Sequence, residues 1–207
     1  MIVPGTFDTS ARELIHAGLQ NLDEARSLFR QLSASGFDAA RCGLLLDALQ
    51  HVCDPDVALR NLVDIVNAQV SQGRALDDIM PDDTAFRQLV AVLGVSDAMG
   101  KLMRFRPDLV QAAATDHCNS HLYNHDQRRA HVLESVGADP NDRMSPTATM
   151  DLADAATALR RTYRNQLAAI IAQDTMSDDP IALQPRISSE LSDLADAALE
   201  GALAIAR

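Results

Sequence analysis

Aromatic residues are scarce in this 207-residue chain, which has five Phe, two Tyr and no Trp. Readers of single-stranded nucleic acid stack bases on aromatic platforms, so that class is disfavoured. Positive charge is also short. Eighteen Lys and Arg stand against 29 Asp and Glu, a net charge of −11, whereas a phosphate backbone selects a basic face. Lysine is nearly absent, Lys101 being the one example; this is read as codon bias rather than function. No run of about 18 apolar residues occurs, so no segment is expected to span a membrane. The first residues lack a basic stretch ahead of an apolar one, so no signal peptide is expected. Three cysteines (Cys42, Cys53 and Cys118) are odd in number and lack metal-type spacing. Free thiols in a reducing cytoplasm fit them better than a disulfide scaffold. The nine glycines never fall as Gly-x-Gly, and no Gly-x-Ser-x-Gly elbow occurs. Phosphate cradles and serine-hydrolase elbows are therefore not signalled.

What the sequence does contain is helix. Ser10-Ala-Arg-Glu13 is a capping box and predicts a helix start at Ser10. Residues 22–32 and 38–52 repeat apolar side chains every three or four positions, with Gly36 between them as a C-terminal cap. Asp54-Pro55 pairs an N-cap acid with a first-turn proline, opening a helix that should stop near Gly73. Further helices are expected from Pro81-Asp-Asp-Thr84 to Gly94, from Ser96 to just before Pro107, and briefly from Pro107. Two more follow over 121–136 and 150–175. Residues 176–185 read as a loop, with a last helix from about Ile187. No alternating apolar-polar run bounded by turns appears, nor any repeat of fixed period. The expected fold is all-α, an irregular array of about nine to ten helices without sheet. The clearest loop, 138–149, divides it into an N-terminal array (1–137), a linker (138–149) and two long helices (150–207).

Candidate chemistry is sparse. The densest polar stretch is Asp116-His117-Cys118-Asn119-Ser120-His121, with His125 and His131 beyond. His117 and His121, four apart on a helix, could ligate a metal such as zinc, but no paired carboxylate motif accompanies them. A solvated helix start is the plainer reading. Cys118 beside two His invites a thiol-nucleophile reading, which needs an orienting geometry that sequence cannot supply. Arg160, Arg161 and Arg164 form a basic cluster at helical spacing. It could hold a phosphate or an acidic surface; the plainer readings are a solvated face or ion pairs with nearby acids such as Asp151 and Asp154. The pairs Asp77-Asp78, Asp82-Asp83 and Asp178-Asp179 sit at helix starts and loops, where Asp caps backbone. No catalytic constellation emerges, and the residues leave two classes open: a stand-alone helical interaction module, or a non-catalytic portion of a larger enzyme.

Several segments together resemble one family. They are Gly36-Phe-Asp-Ala-Ala-Arg41, Asp54-Pro-Asp-Val-Ala-Leu-Arg-Asn-Leu62, and Leu89-Val-Ala-Val-Leu-Gly-Val-Ser-Asp-Ala-Met-Gly100 with Arg106-Pro107. Val136-Gly-Ala-Asp-Pro140, Ala158-Leu-Arg-Arg-Thr-Tyr-Arg-Asn-Gln-Leu167 and Glu190–Leu203 complete the set. In this order they are similar to the glutamine synthetase adenylyltransferases of actinobacterial type, over about residues 36–207 and least well over 111–131. The resemblance implies the N-terminal helical part of the adenylyl-removing half of a bifunctional nucleotidyltransferase. Such an enzyme adds AMP to a tyrosine of glutamine synthetase and removes it by phosphorolysis, with ATP and magnesium at carboxylates of a Gly-Ser-Asp-x-Asp type motif. No part of 1–207 matches that motif, so no catalytic residue, metal ligand or cofactor contact carries over. The helical pattern is still running at Arg207, where the family continues into its catalytic sheet. A fragment that is inactive by itself is therefore expected. The implied partners are glutamine synthetase, the catalytic domains of the same polypeptide and a nitrogen-signalling regulatory protein. The implied role of Arg160, Arg161 and Arg164 is to face a phosphate site or acidic surface of the neighbouring domain.

Overall fold

A computed structural model describes residues 9–80, 82–114, 123–177 and 179–207, with the side chain of Asp78 left out. Among them the secondary structure is helix, without strand. The chain divides into two compact units, Met1–Thr115 and Asp116–Arg207.

The first unit holds α1 (Ala11–His16), α2 (Leu22–Ala34), α3 (Ala39–Leu49), α4 (Pro55–Ser71), α5 (Leu76–Ile79), α6 (Asp83–Val95), α7 (Asp97–Met103) and α8 (Pro107–Ala114). Short polar side chains start most of these helices. The Ser10 hydroxyl accepts from the Glu13 amide and Glu13 reaches back, as its capping box requires. Asp38, Asp54, Asp82 and Ser96 each accept an amide three residues on. Each such cap is worth about 1 kcal/mol. Gly18, Gly36 and Gly73 take positive φ at helix ends. The core lies around α4 and α6, which pack on each other. Leu59, Leu62 and Ile65 of α4 are buried with Leu89, Val90 and Leu93 of α6. α2 and α7 also pack on α4, and α3 and α8 on α6.

The second unit is a three-helix packing of α9 (His125–Ser135), α10 (Leu152–Thr175) and α11 (Pro180–Ala206). Leu133 and Val136 meet Ala155 and Ala204 at one end. Ile170, Ile187 and Leu194 meet at the other. The sequence reading groups 123–137 with the preceding helices; in the structure α9 packs on α10 and α11. The 138–149 loop is held rather than free. The Ala148 amide donates to the Ala204 carbonyl at 2.9 Å, and the Thr149 hydroxyl donates to the Gly137 carbonyl at 2.7 Å.

Two boundaries differ from expectation. α11 begins at Pro180, capped by Asp179, and runs through Pro185, which the sequence places in a loop. A helix-interior proline leaves the carbonyl four residues back without its amide. Here that carbonyl belongs to Ile181, 87% exposed, so water can satisfy it. α9 starts at Asn124, whose side chain forms a capping box with Gln127, rather than at 121. The short α5 was not foreseen; four residues are too few for a periodic signal.

Candidate functional site

The candidate cluster Arg160, Arg161 and Arg164 lies along α10 of the second unit. Arg160 and Arg161 are exposed and Arg164 is half-buried. Arg161 has a contact of its own. Arg160 and Arg164 make no ion pair among the described residues, so of the plainer readings they take the solvated face rather than pairing with Asp151 or Asp154. Asp151 instead precedes α10 as its N-terminal residue. The metal candidates His117 and His121, with Cys118, lie outside the described residues. Their neighbours are engaged elsewhere: His125 Nδ1 lies 3.1 Å from Asp193, and His131 stacks on Tyr123 with centroids 5.3 Å apart.

The polar centre of the second unit was not legible in the sequence. Arg128 is 1% exposed, the largest fully buried side chain among the described residues. From α9 its guanidinium donates to Gln166 Oε1 of α10 at 2.7 Å and to Glu190 of α11. One charged group thus ties all three helices. Glu190 is also buried, with Arg186 at 3.6 Å on its outer side. Burying two charges repays its desolvation cost only through such mutual contact. Arg128 Nε and Gln166 Nε2 have no partner; in so closed a setting each is a donor that an internal water would satisfy.

Arg129, the next residue, turns to the loop. Its guanidinium grips Glu200 with two bonds, Nε to Oε2 at 2.7 Å and an Nη to Oε1 at 2.6 Å. It also donates to the carbonyls of Pro140 and Asp142 at 2.6 and 3.0 Å. The bond to Glu200 holds this guanidinium more basic than an ordinary arginine. The Asp142 carboxylate accepts the amides of Ser145 and Met144, both at 2.9 Å, and these bonds hold its pKa below the usual value. Arg207 closes the far side by donating to the Pro146 carbonyl. A sequence signal for these roles existed in part: two adjacent arginines inside an amphipathic helix cannot both sit at the centre of its polar face, because successive residues turn by about 100°.

Magnesium beside a nucleotide is held by one or two carboxylates together with the phosphates. Among the described residues no three His, Cys, Asp or Glu side chains cluster as metal ligands. Several acids of the first unit are committed singly, Asp38, Asp54 and Asp82 to helix caps, Asp47 to Arg87 and Asp77 to Arg41. No helix of the described residues is long and apolar enough to cross a membrane.

No family model matches the chain, and no solved structure matches it. Curated relatives do. The chain is 65% identical over 201 residues to the "Bifunctional glutamine synthetase adenylyltransferase/adenylyl-removing enzyme" of Bifidobacterium longum strain DJO10A, an alignment covering 97% of this chain and 19% of the relative. The protein of the same name from Nocardia farcinica is 32% identical, with 100% of this chain and 21% of the relative covered. That from Streptomyces avermitilis is 30% identical, with 100% and 19% covered. The chain thus spans about a fifth of the length of the curated relatives it matches. Over 97% of its length the chain is thus similar to one segment, about a fifth, of the bifunctional glutamine synthetase adenylyltransferase/adenylyl-removing enzymes.

Proposed function

We propose that this chain serves as the N-terminal helical part of a glutamine synthetase adenylyltransferase/adenylyl-removing enzyme, supporting the deadenylylating half without carrying out nucleotidyl transfer itself. The observation that carries this reading is 65% identity sustained over 97% of the chain. The whole enzyme would add AMP from ATP to a tyrosine of glutamine synthetase and remove it again in the cytoplasm. Magnesium and nucleotide would be held by carboxylates of other segments. Two structural features support a scaffolding part. The acidic side chains named above serve helix caps and single ion pairs within the fold. The second unit is braced from within by Arg128 and Arg129, which fixes the relative positions of three long helices. Glutamine synthetase is the proposed partner of the whole enzyme, and a nitrogen-signalling regulatory protein a further one.

The test has two arms. The chain alone, incubated with adenylylated glutamine synthetase, inorganic phosphate and magnesium, should release no ADP. Deleting the corresponding segment from the Bifidobacterium longum enzyme should depress adenylyl removal more than adenylyl addition. ADP release by the chain alone, or a deleted enzyme with unchanged removal activity, overturns the proposal.

A further inference from the structure

The charges of α11 all lie on one side. Its charged residues, Arg186, Glu190, Asp193, Asp196 and Glu200, fall within a sector of about 120° when each residue turns the helix by about 100°. In that sector Glu190 meets Arg128, Asp193 meets His125 and Glu200 meets Arg129, all three on α9. Beside it, Ile187 and Leu194 pack with Ile170 of α10. The arc that remains carries Ile181, Leu191, Leu199 and Leu203, with Ala195 and Ala202 between the leucines. All six are exposed, Ile181 by 87% and Leu199 by 70%. No charged residue interrupts this arc over about 33 Å of helix. In a chain in which 23% of residues are charged, an exposed apolar strip of this length marks a contact surface. The two alanines leave room for a close approach.

We propose that this strip is covered by the remainder of the same, longer polypeptide, through an apolar face that packs along α11; the inference rests on the function proposed above. Area decides between a tethered occupant and a separate one. The strip is about 33 Å long and about 10 Å wide, so a separate molecule seated on it buries about 700 Å² in total, below the roughly 1,000 Å² that a specific interface between independent proteins clears. A second copy of the chain, or any other free protein, gains too little from this strip alone. A segment of the same polypeptide stands at an effective concentration in the millimolar range, and a contact of this size then holds. Chain enough for such a cover exists in the relatives: the match takes up 19% of the Bifidobacterium longum enzyme, leaving about four-fifths of it outside. The chemistry of the strip sets the chemistry of its cover. A charge placed against these leucines would lose its water and gain no partner, so the covering face is itself apolar.

Thiol labelling reads the cover directly. The Bifidobacterium longum enzyme carrying this chain in place of its own matching segment supplies the whole polypeptide. Leu199→Cys reports on the strip, and Ser189→Cys, exposed on the charged side of α11, is the control. Maleimide labelling is followed peptide by peptide by mass spectrometry, which separates these thiols from the native ones. In the chain alone both positions should label at similar rates. In the whole enzyme labelling at 199 should slow at least about tenfold, because a covered thiol reacts only from an opened state, and labelling at 189 should change by less than about twofold. Leu199→Asp with Leu203→Asp should leave the far-UV circular dichroism melt of the chain alone unchanged, and should raise severalfold the rate at which a protease frees this segment from the whole enzyme. Labelling at 199 that is equally fast in both settings overturns the proposal. So does slowing that fades on dilution of the whole enzyme, or that is already present in the chain alone, since either means that a separate molecule covers the strip. A protease rate unmoved by the two aspartates overturns it equally. None of these readouts is catalytic, so the contact can fail while the deletion test of the proposed function holds, and that test can fail with the contact intact.

Discussion

Two glycines in helices make opposite predictions for the same substitution. Gly43 lies inside α3, exposed, and a Cβ built on it meets nothing within 4 Å. Gly43→Ala should stabilise by up to about 1 kcal/mol, the difference in helix propensity. Gly100 lies inside α7, buried against α4. A Cβ there would stand 2.3 Å from Asn61 Cγ, 2.5 Å from its Nδ2 and 2.7 Å from its Oδ1. Asn61 is 5% exposed, and its amide donates to the Leu93 carbonyl of α6 at 3.3 Å, so it cannot swing aside into water. The propensity gain of about 1 kcal/mol is then set against about 1–3 kcal/mol of overpacking and about 1 kcal/mol of hydrogen bond. The net loss is about 1–3 kcal/mol, separating the two variants by about 2–4 kcal/mol. Both sites lie in the first unit, so thermal melts followed by circular dichroism should place Gly43→Ala above the parent and Gly100→Ala below it. For a unit of roughly 100 residues each kcal/mol moves the midpoint by about 4–8 °C. Adding Asn61→Ala to Gly100→Ala should be less costly than the two single changes predict together, since each removes the other's clash. A Gly100→Ala protein as stable as Gly43→Ala refutes the packing argument.

Two further outcomes follow from the second unit. Glu190→Ala strands the buried Arg128 guanidinium and should cost about 3–5 kcal/mol in urea denaturation, whereas Arg128→Met with Glu190→Leu should cost clearly less, because no charge is left buried alone. The Asp142 carboxylate has its pKa lowered by the amides of Ser145 and Met144, so its contribution is present above the unfolded carboxylate value and is lost as pH falls through the lowered one. Hydrogen exchange corrected for intrinsic rates should show the Met144 and Ser145 amides losing protection below about pH 4, and Asp142→Ala should remove that pH dependence. Protection unchanged down to acid pH in the parent would contradict it.

Several helix beginnings were legible from the one side chain that decides them, though those capped by Asn124 and Asp179 were not. Ser10 with Glu13, Asp54 before Pro55 and Ser96 before Asp97 act within three residues, and the structure places caps at all three. Glycines 36 and 73 read as stops and take positive φ there. Pro185 misled because a helix can carry an interior proline near its start when the orphaned carbonyl reaches water, and exposure is not written locally. The cluster Arg160, Arg161 and Arg164 was conspicuous and lies at the surface. Arg128 and Arg129 were not conspicuous, yet they organise the second unit.

The sequence alone determined that this protein is helical, acidic and poor in aromatic side chains. Caps, periodicity and composition are local properties, and local properties survive translation into structure. Its likeness to one group of enzymes was legible too, since the spacing of several short segments is also carried along the chain. Only the tertiary structure decided which arginines are buried and which are free to meet a partner. It also decided which glycine is indispensable, and that α11 keeps one face without charge. Those outcomes depend on what a neighbouring helix brings within a few ångströms, and residues far apart in the chain, such as Arg128 and Glu190 or Asn61 and Gly100, acquire their meaning only from each other.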